Sequence, residues 1–202
     1  MTTAGGDFPA ILAILISMHR RTQILHLASV LAAATFLAGA SIADETDLDP
    51  LFEALRDADR HGARAIENRI WEEWSRSGSA AMDLLLERGR DALQNGEVVT
   101  AIEHFSALVD HAPHFAEAYN ARATAYFQAG VYGLALEDIR ETLVRNPRHF
   151  AAMSGLAMIL QEIGEEKGAL EAWRAVEALH PSREGVREAI ERLERRVEGT
   201  SL

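Results

Sequence analysis

The chain has 202 residues, is 48% hydrophobic and 25% charged, and contains no cysteine. This excludes a disulfide-stapled scaffold and any thiolate chemistry, and it leaves enough apolar surface for a packed core. Twenty Lys plus Arg against 31 Asp plus Glu give a net charge of −11, which argues against nucleic acid as a partner.

In chain order, the first predicted element is an apolar run from Ile24 to Ala43, preceded by His19, Arg20 and Arg21 and followed at once by Asp44 and Glu45. This is the layout of a secretory signal, with peptidase cleavage expected after Ala43, where Ser41 and Ala43 flank Ile42. The basic residues arrive late in residues 1–43, so translation from Met18 fits the layout better than translation from Met1. Gln23 follows Arg20 and Arg21 where a twin-arginine signal carries apolar residues, so general secretion is expected. The alternative is an uncleaved anchor, since twenty residues at about 1.5 Å each just cross a hydrocarbon layer of ~30 Å. Either way the remainder is expected in the periplasm or otherwise outside the cytosol, either released or tethered to the inner membrane. Membrane contact is then confined to the N-terminal segment.

Residues 44–81 read as a degenerate N-terminal helical pair. Gly62 lies 34 residues before Gly96, and Ile66, Ile70 and Trp74 fall on one helical stripe with Trp71 beside it. Two Trp among Ile at this spacing fit a core more readily than a partner-binding aromatic pair. No proline closes the second helix; Gly78 supplies the break.

From residue 82 a period of 34 takes over. Pro113, Pro147 and Pro181 keep that spacing, as do Gly96, Gly130 and Gly164, and Ala101, Ala135 and Ala169. Each Gly falls between two amphipathic runs and each Pro follows the second, where a helix must stop. In residues 116–149, Tyr119, Ala123 and Tyr126 share one face of the first helix, and Leu136, Ile139 and Leu143 share one face of the second. Three such hairpins are expected at 82–115, 116–149 and 150–181. Residues 182–202 form a solvating C-terminal cap and tail, with Val186, Ile190, Leu193 and Val197 on one stripe.

These columns resemble the tetratricopeptide repeat. The small residue of the first helix is Gly89, Ala123 or Ala157; the aromatic column beyond it holds Ala92, Tyr126 and Leu160. The bulky column of the second helix holds Phe105, Ile139 and Trp173. The early aromatic position is instead Leu85 in the first unit and Met153 in the third, and a later small-residue column holds Leu108, Thr142 and Val176. The resemblance implies an all-α fold, an α-solenoid of stacked antiparallel helical hairpins with three clear repeats between the N-terminal pair and the C-terminal helix.

No nucleophile, phosphate-loop, dinucleotide or metalloprotease motif occurs, so no catalytic residue, cofactor or metal is expected. His104, Asp110, His111 and His114 cluster late in the first repeat, with His149 and His180 at equivalent ends. Because Pro113 separates His111 from His114, the pair lacks the fixed geometry of a helical metal site, and all are read as solvated, helix-ending histidines.

Stacked hairpins curve, and the first helix of each lines the concave side. Leu86, Arg90 and Leu93, then Asn120, Thr124, Phe127 and Gln128, then Met158 are therefore the expected binding residues. Asp83, Gln94, Glu117, Ala151, Ser154, Gln161 and Glu162 share that face. Apolar residues edged with hydrogen-bonding ones suit an extended peptide or a helix, so the expected function is a non-catalytic adaptor that docks a protein segment. Arg90 stands alone, so a basic clamp for an acidic tail is not expected. The alternative is a structural homo-oligomeric scaffold in which the apolar faces pair two copies.

Overall fold

A computed structural model describes residues 47–199; the signal segment expected at residues 1–43 lies outside the described residues. The described residues hold nine helices and no strand. We number them α1 (Asp49–Asp57), α2 (Arg60–Trp74), α3 (Ala80–Gln94), α4 (Val98–His111), α5 (Ala116–Gln128), α6 (Tyr132–Arg145), α7 (Phe150–Glu162), α8 (Glu166–Leu179) and α9 (Val186–Gly199). Helices α3–α4, α5–α6 and α7–α8 are the three expected hairpins. Each packs against the next, and α9 packs on α8 as the first helix of a further unit would.

The 34-residue columns have physical causes. Gly96, Gly130 and Gly164 each take a positive φ (79°, 72° and 80°), and nothing lies near where a Cβ would stand, so backbone conformation rather than crowding selects glycine. The same hydrogen bond closes every first helix: Glu97, Val131 and Glu165 donate their N–H groups to the carbonyls of Ala92, Tyr126 and Leu160 at 2.8, 2.9 and 2.8 Å. This is the left-handed stop that satisfies the last free carbonyls. Gly89 is small for the other reason, since a Cβ there would meet the Phe105 ring at 2.3 Å. Ala101, Ala135 and Ala169, where paired helices cross, are fully buried, and so are the off-pattern Leu108, Thr142 and Val176. Thr142 is accommodated because its hydroxyl donates to the Asp138 carbonyl at 2.8 Å. Trp173, of the bulky column, is half-buried against the core and donates its indole N–H to Gln161 at 2.7 Å.

The core divides into two clusters. One joins α3, α4 and the near side of α5 through Leu86, Phe105, Leu108, Ala118 and Tyr119. The other joins repeats two and three with α9, and it also contains Phe52, Leu55, Ala63, Ile70 and Trp74 of α1 and α2.

The N-terminal pair therefore departs from its expected place. A stacked repeat would lay α2 on α3, as α4 lies on α5. Instead α1 packs on α8, and the pair folds back over repeats two and three. Gly62 is no turn glycine: it sits in the first turn of α2, donating its N–H to the capping Asp59 carboxylate at 2.8 Å. Its 34-residue offset from Gly96 is a coincidence of spacing.

Candidate functional site

Where the first helices of the three repeats meet lies a buried carboxylate. Glu117, in the first turn of α5, is 2% exposed. Its Oε1 accepts from Arg90 Nη2 of α3 at 2.6 Å, and its Oε2 accepts from Asn120 Nδ2 at 3.0 Å. His149, preceding α7, completes the set with Nε2 at 3.0 Å from Oε2. The His149 Nδ1 accepts the Ala152 N–H at 3.2 Å as a helix cap, which leaves Nε2 as the donor to Glu117. One side chain thus ties together the first helices of all three repeats, and the buried polar group is tolerated because donors surround it.

Helix α2 lies against this network. Arg90 also donates to Ser75 Oγ just beyond α2, with both Nη atoms at 3.1 Å. The Trp74 ring stacks on His149 with centroids 4.1 Å apart, and Trp71 meets Phe150 edge-on at 6.4 Å. Two turns earlier on the same stripe, Glu67 accepts from Arg183 and lies 3.3 Å from His180 Nε2. These two partners hold the Glu67 carboxyl down at about 2, the His180 hydrogen bond contributing most. Asp49 of α1 pairs with Arg148 at 2.6 Å. Helix α2 therefore runs from the turn between α8 and α9, where it places a carboxylate, to the start of α7, where it places its aromatic rings.

The expected binding residues fall into two groups. Leu86 and Asn120, at 2% and 7% exposed, are not groove residues. Leu86 belongs to the cluster holding Ala118 and Tyr119 of the neighbouring α5, and Asn120 is consumed by Glu117. Arg90 is bound to Glu117 and Ser75, and Leu93 is half-buried against the first cluster. Thr124, Gln128 and Met158 are exposed, and half-buried Phe127 stands 5.6 Å from Tyr132. They form an open downstream lip. Of the histidines, His149 and His180 are buried rather than solvated, at 0% and 2% exposed, each aimed at a carboxylate. His111 and His114 do face solvent, and among the described residues no group of three His, Cys, Asp or Glu is arranged to hold a metal ion.

Between the end of α2 and the turns that follow α4 and α6 lies an open cleft of about 1170 Å³, walled by Glu73, Trp74, Arg76, Pro113, Arg145 and Arg148. Among the described residues no helix is long and apolar enough to cross a membrane.

Sequence and structure comparisons agree with this architecture. The tetratricopeptide repeat model matches residues 86–138 and 121–184. A TPR repeat-containing protein of Rhizobium etli is 34% identical over 161 residues, covering 79% of each chain. The solved Sgt2 TPR domain from Aspergillus fumigatus superposes with a TM-score of 0.56 at 25% identity, over 61% of this chain and 83% of that one. The first TPR domain of Spaghetti (RPAP3), bound to the HSP90 peptide SRMEEVD, superposes with a TM-score of 0.56 at 19% identity, over 58% of this chain and 93% of that one. With three regular hairpins, their turn glycines and crossing alanines in register, the chain belongs to the tetratricopeptide repeat family, whose members generally serve as non-catalytic protein-interaction modules.

Proposed function

We propose that this chain is an exported, non-catalytic adaptor that takes a segment of a partner protein on the open lip of its concave surface. The observation that carries the reading is the exposure of Met158 (41%) and Thr124 next to half-buried Phe127, an apolar strip with hydrogen-bonding edges on the face where a solenoid presents its first helices. The HSP90 peptide in the RPAP3 neighbour ends in acidic residues. A like ligand does not suit this chain, because Arg90, the arginine among the expected binding residues, is already paired with Glu117. The partner segment is therefore apolar with polar edges rather than acidic.

Export is supported by the Ile24–Ala43 run behind Arg20 and Arg21. N-terminal sequencing of the mature chain beginning at Asp44 is the expected result; retention of residues 1–43 favours the anchor. The lip is tested by crosslinking capture from the exported fraction with wild type and Phe127→Glu. Loss of partners in the variant is expected, and recovery of the same partners by both counts against the lip.

A second reading has its own support. Val99, Val131, Leu134 and Ile163 are exposed near the turns within the hairpins, at 72%, 42%, 49% and 42%, and such an edge suits a homo-oligomeric scaffold. Concentration-dependent light scattering, abolished by Val99→Asp with Leu134→Asp, is the outcome that favours it.

A further inference from the structure

Helices α1 and α2 are held on the solenoid by a stripe that no repeat carries. The repeats cross through alanines, leucines and glycines in register around the Glu117 network, whereas α2 meets them through aromatic rings and a carboxylate on one stripe: Glu67, Ile70, Trp71 and Trp74. All three buried side-chain polar atoms that lack a partner among the described residues lie along this seam. They are Trp74 Nε1, His180 Nδ1 and Ser182 Oγ, the last beside the Arg183 that binds Glu67. Trp74 and His180 are more than nine-tenths buried, so two donors or acceptors face α2 or belong to it and gain nothing from it. The open cleft shows that the last turn of α2 does not seal against the turns after α4 and α6. The tether is Ser75-Arg76-Ser77-Gly78-Ser79, whose Gly78 takes φ +81° in open space.

We propose that the surface formed by the start of α7 and the turn between α8 and α9 is a helix-docking site, and that α1–α2 is its built-in occupant. The partner it fits is an amphipathic helix carrying two aromatics three residues apart and one carboxylate a turn before the first. The rings settle on His149 and Phe150, the carboxylate sits between His180 and Arg183, and polar groups on such a helix reach His180 Nδ1 and Ser182 Oγ, which α2 leaves unpaired. Binding of the partner lifts the N-terminal pair off the solenoid on its serine-rich tether. This extends the adaptor reading above to a second surface and names the partner's class. The lip and this site are tested by different substitutions, so the failure of one is distinguishable from the failure of the other.

The test uses the full chain and a fluorescent synthetic peptide of residues 47–77 as probe. In the receptor, Glu67→Arg with Trp74→Ser weakens the built-in occupant. The double variant is expected to bind the probe at least tenfold more tightly than wild type, in which the site is filled, and a probe carrying the same two changes is expected to bind neither. Hydrogen exchange run in parallel should show the α5–α8 amides equally protected in both chains, with α1–α2 exchanging early in the variant. Equal affinity of both chains for the probe, or no binding by either, overturns the proposal. Loss of protection across α5–α8 in the variant also overturns it, because the pair is then part of the core rather than its ligand. In wild type alone, exchange of α1–α2 as a unit ahead of α5–α8 supports the proposal, and exchange of all these helices together overturns it.

Discussion

The two ends of the solenoid read alike in the sequence and behave differently in the fold. Helix α9 carries a narrow apolar stripe, Val186, Ala189, Ile190 and Leu193, all at most 6% exposed, and lies on α8 in the direction of the stack. Its polar side is tied down by exposed ion pairs such as Arg174–Glu194 at 2.7 Å, worth little individually. Helix α2 instead carries an aromatic stripe too bulky for the small-residue crossings of the repeats, and it lies over the start of α7, where Phe150 and His149 offer ring faces. A stripe of small and branched residues continues a stack, while a stripe of tryptophans seeks a groove.

The largest expected effect falls where both regions depend on one group. Glu117→Ala leaves Arg90, Asn120 and His149 without their shared acceptor in a buried site, and a loss of about 3–5 kcal/mol in urea unfolding is expected. A loss below about 1 kcal/mol would mean that the three donors find other partners and that the carboxylate does not join the repeats.

Next come paired truncations, one at each end. Leu193 of α9 and Leu55 of α1 are both fully buried, and each change to Ala should cost about 2–4 kcal/mol at its own site. The comparison lies in where the loss is felt. Leu193→Ala is expected to lower protection through α7 and α8, because α9 covers the end of the stack. Leu55→Ala is expected to free α1–α2 while α5–α8 keep their protection. The same pattern in both would erase the distinction between a cap and an occupant. Within the stack, Ala135→Leu should cost about 1–3 kcal/mol by overpacking, whereas Ala129→Leu, on an exposed residue, should change stability by under about 0.5 kcal/mol.

The stack was legible because its rules are local and repeated. A turn that needs positive φ at Gly96 shows itself again at Gly130 and Gly164, and helix crossings at Ala101 recur at Ala135 and Ala169. Of the expected faces, Thr124 and Gln128 of α5 and Met158 of α7 open to solvent. What register does not encode is what covers a face. Leu86 shares the helical face of Arg90, yet its exposure is decided by the neighbouring α5. Asn120 is a plausible peptide clamp until Glu117, three residues earlier, turns out to be held at once by α3 and the residue before α7. His149 and His180 stand at the same kind of chain position as solvent-facing His111, and the return of α2, distant in sequence, covers both. A signal for that return was present in Trp71 and Trp74 combined with the absence of a closing proline. It pointed to an atypical helix without saying where the helix goes.

The smallest effect is a pH dependence peculiar to the N-terminal seam. Glu67 is held at about 2 in the fold, chiefly by its hydrogen bond with His180 and by Arg183, against an ordinary 4.5. A carboxylate whose folded value lies below its unfolded one stabilises fully above the unfolded value and loses that stabilisation as pH falls from about 4.5 towards about 2. Because the side chain is partly exposed and screened, the share at stake is about 1–2 kcal/mol. Tryptophan fluorescence reads it directly, since Trp71 and Trp74 lie one and two turns beyond Glu67 on the same helix. In wild type, α1–α2 should loosen on acidification from pH 5 to pH 3 before helicity of the repeats declines. In Glu67→Gln, whose side chain carries no charge to lose, the fluorescence step in that window should be absent. The downstream end provides the control: an acid-induced loss of exchange protection that begins in α9 rather than α2 would reverse the ordering of the two ends.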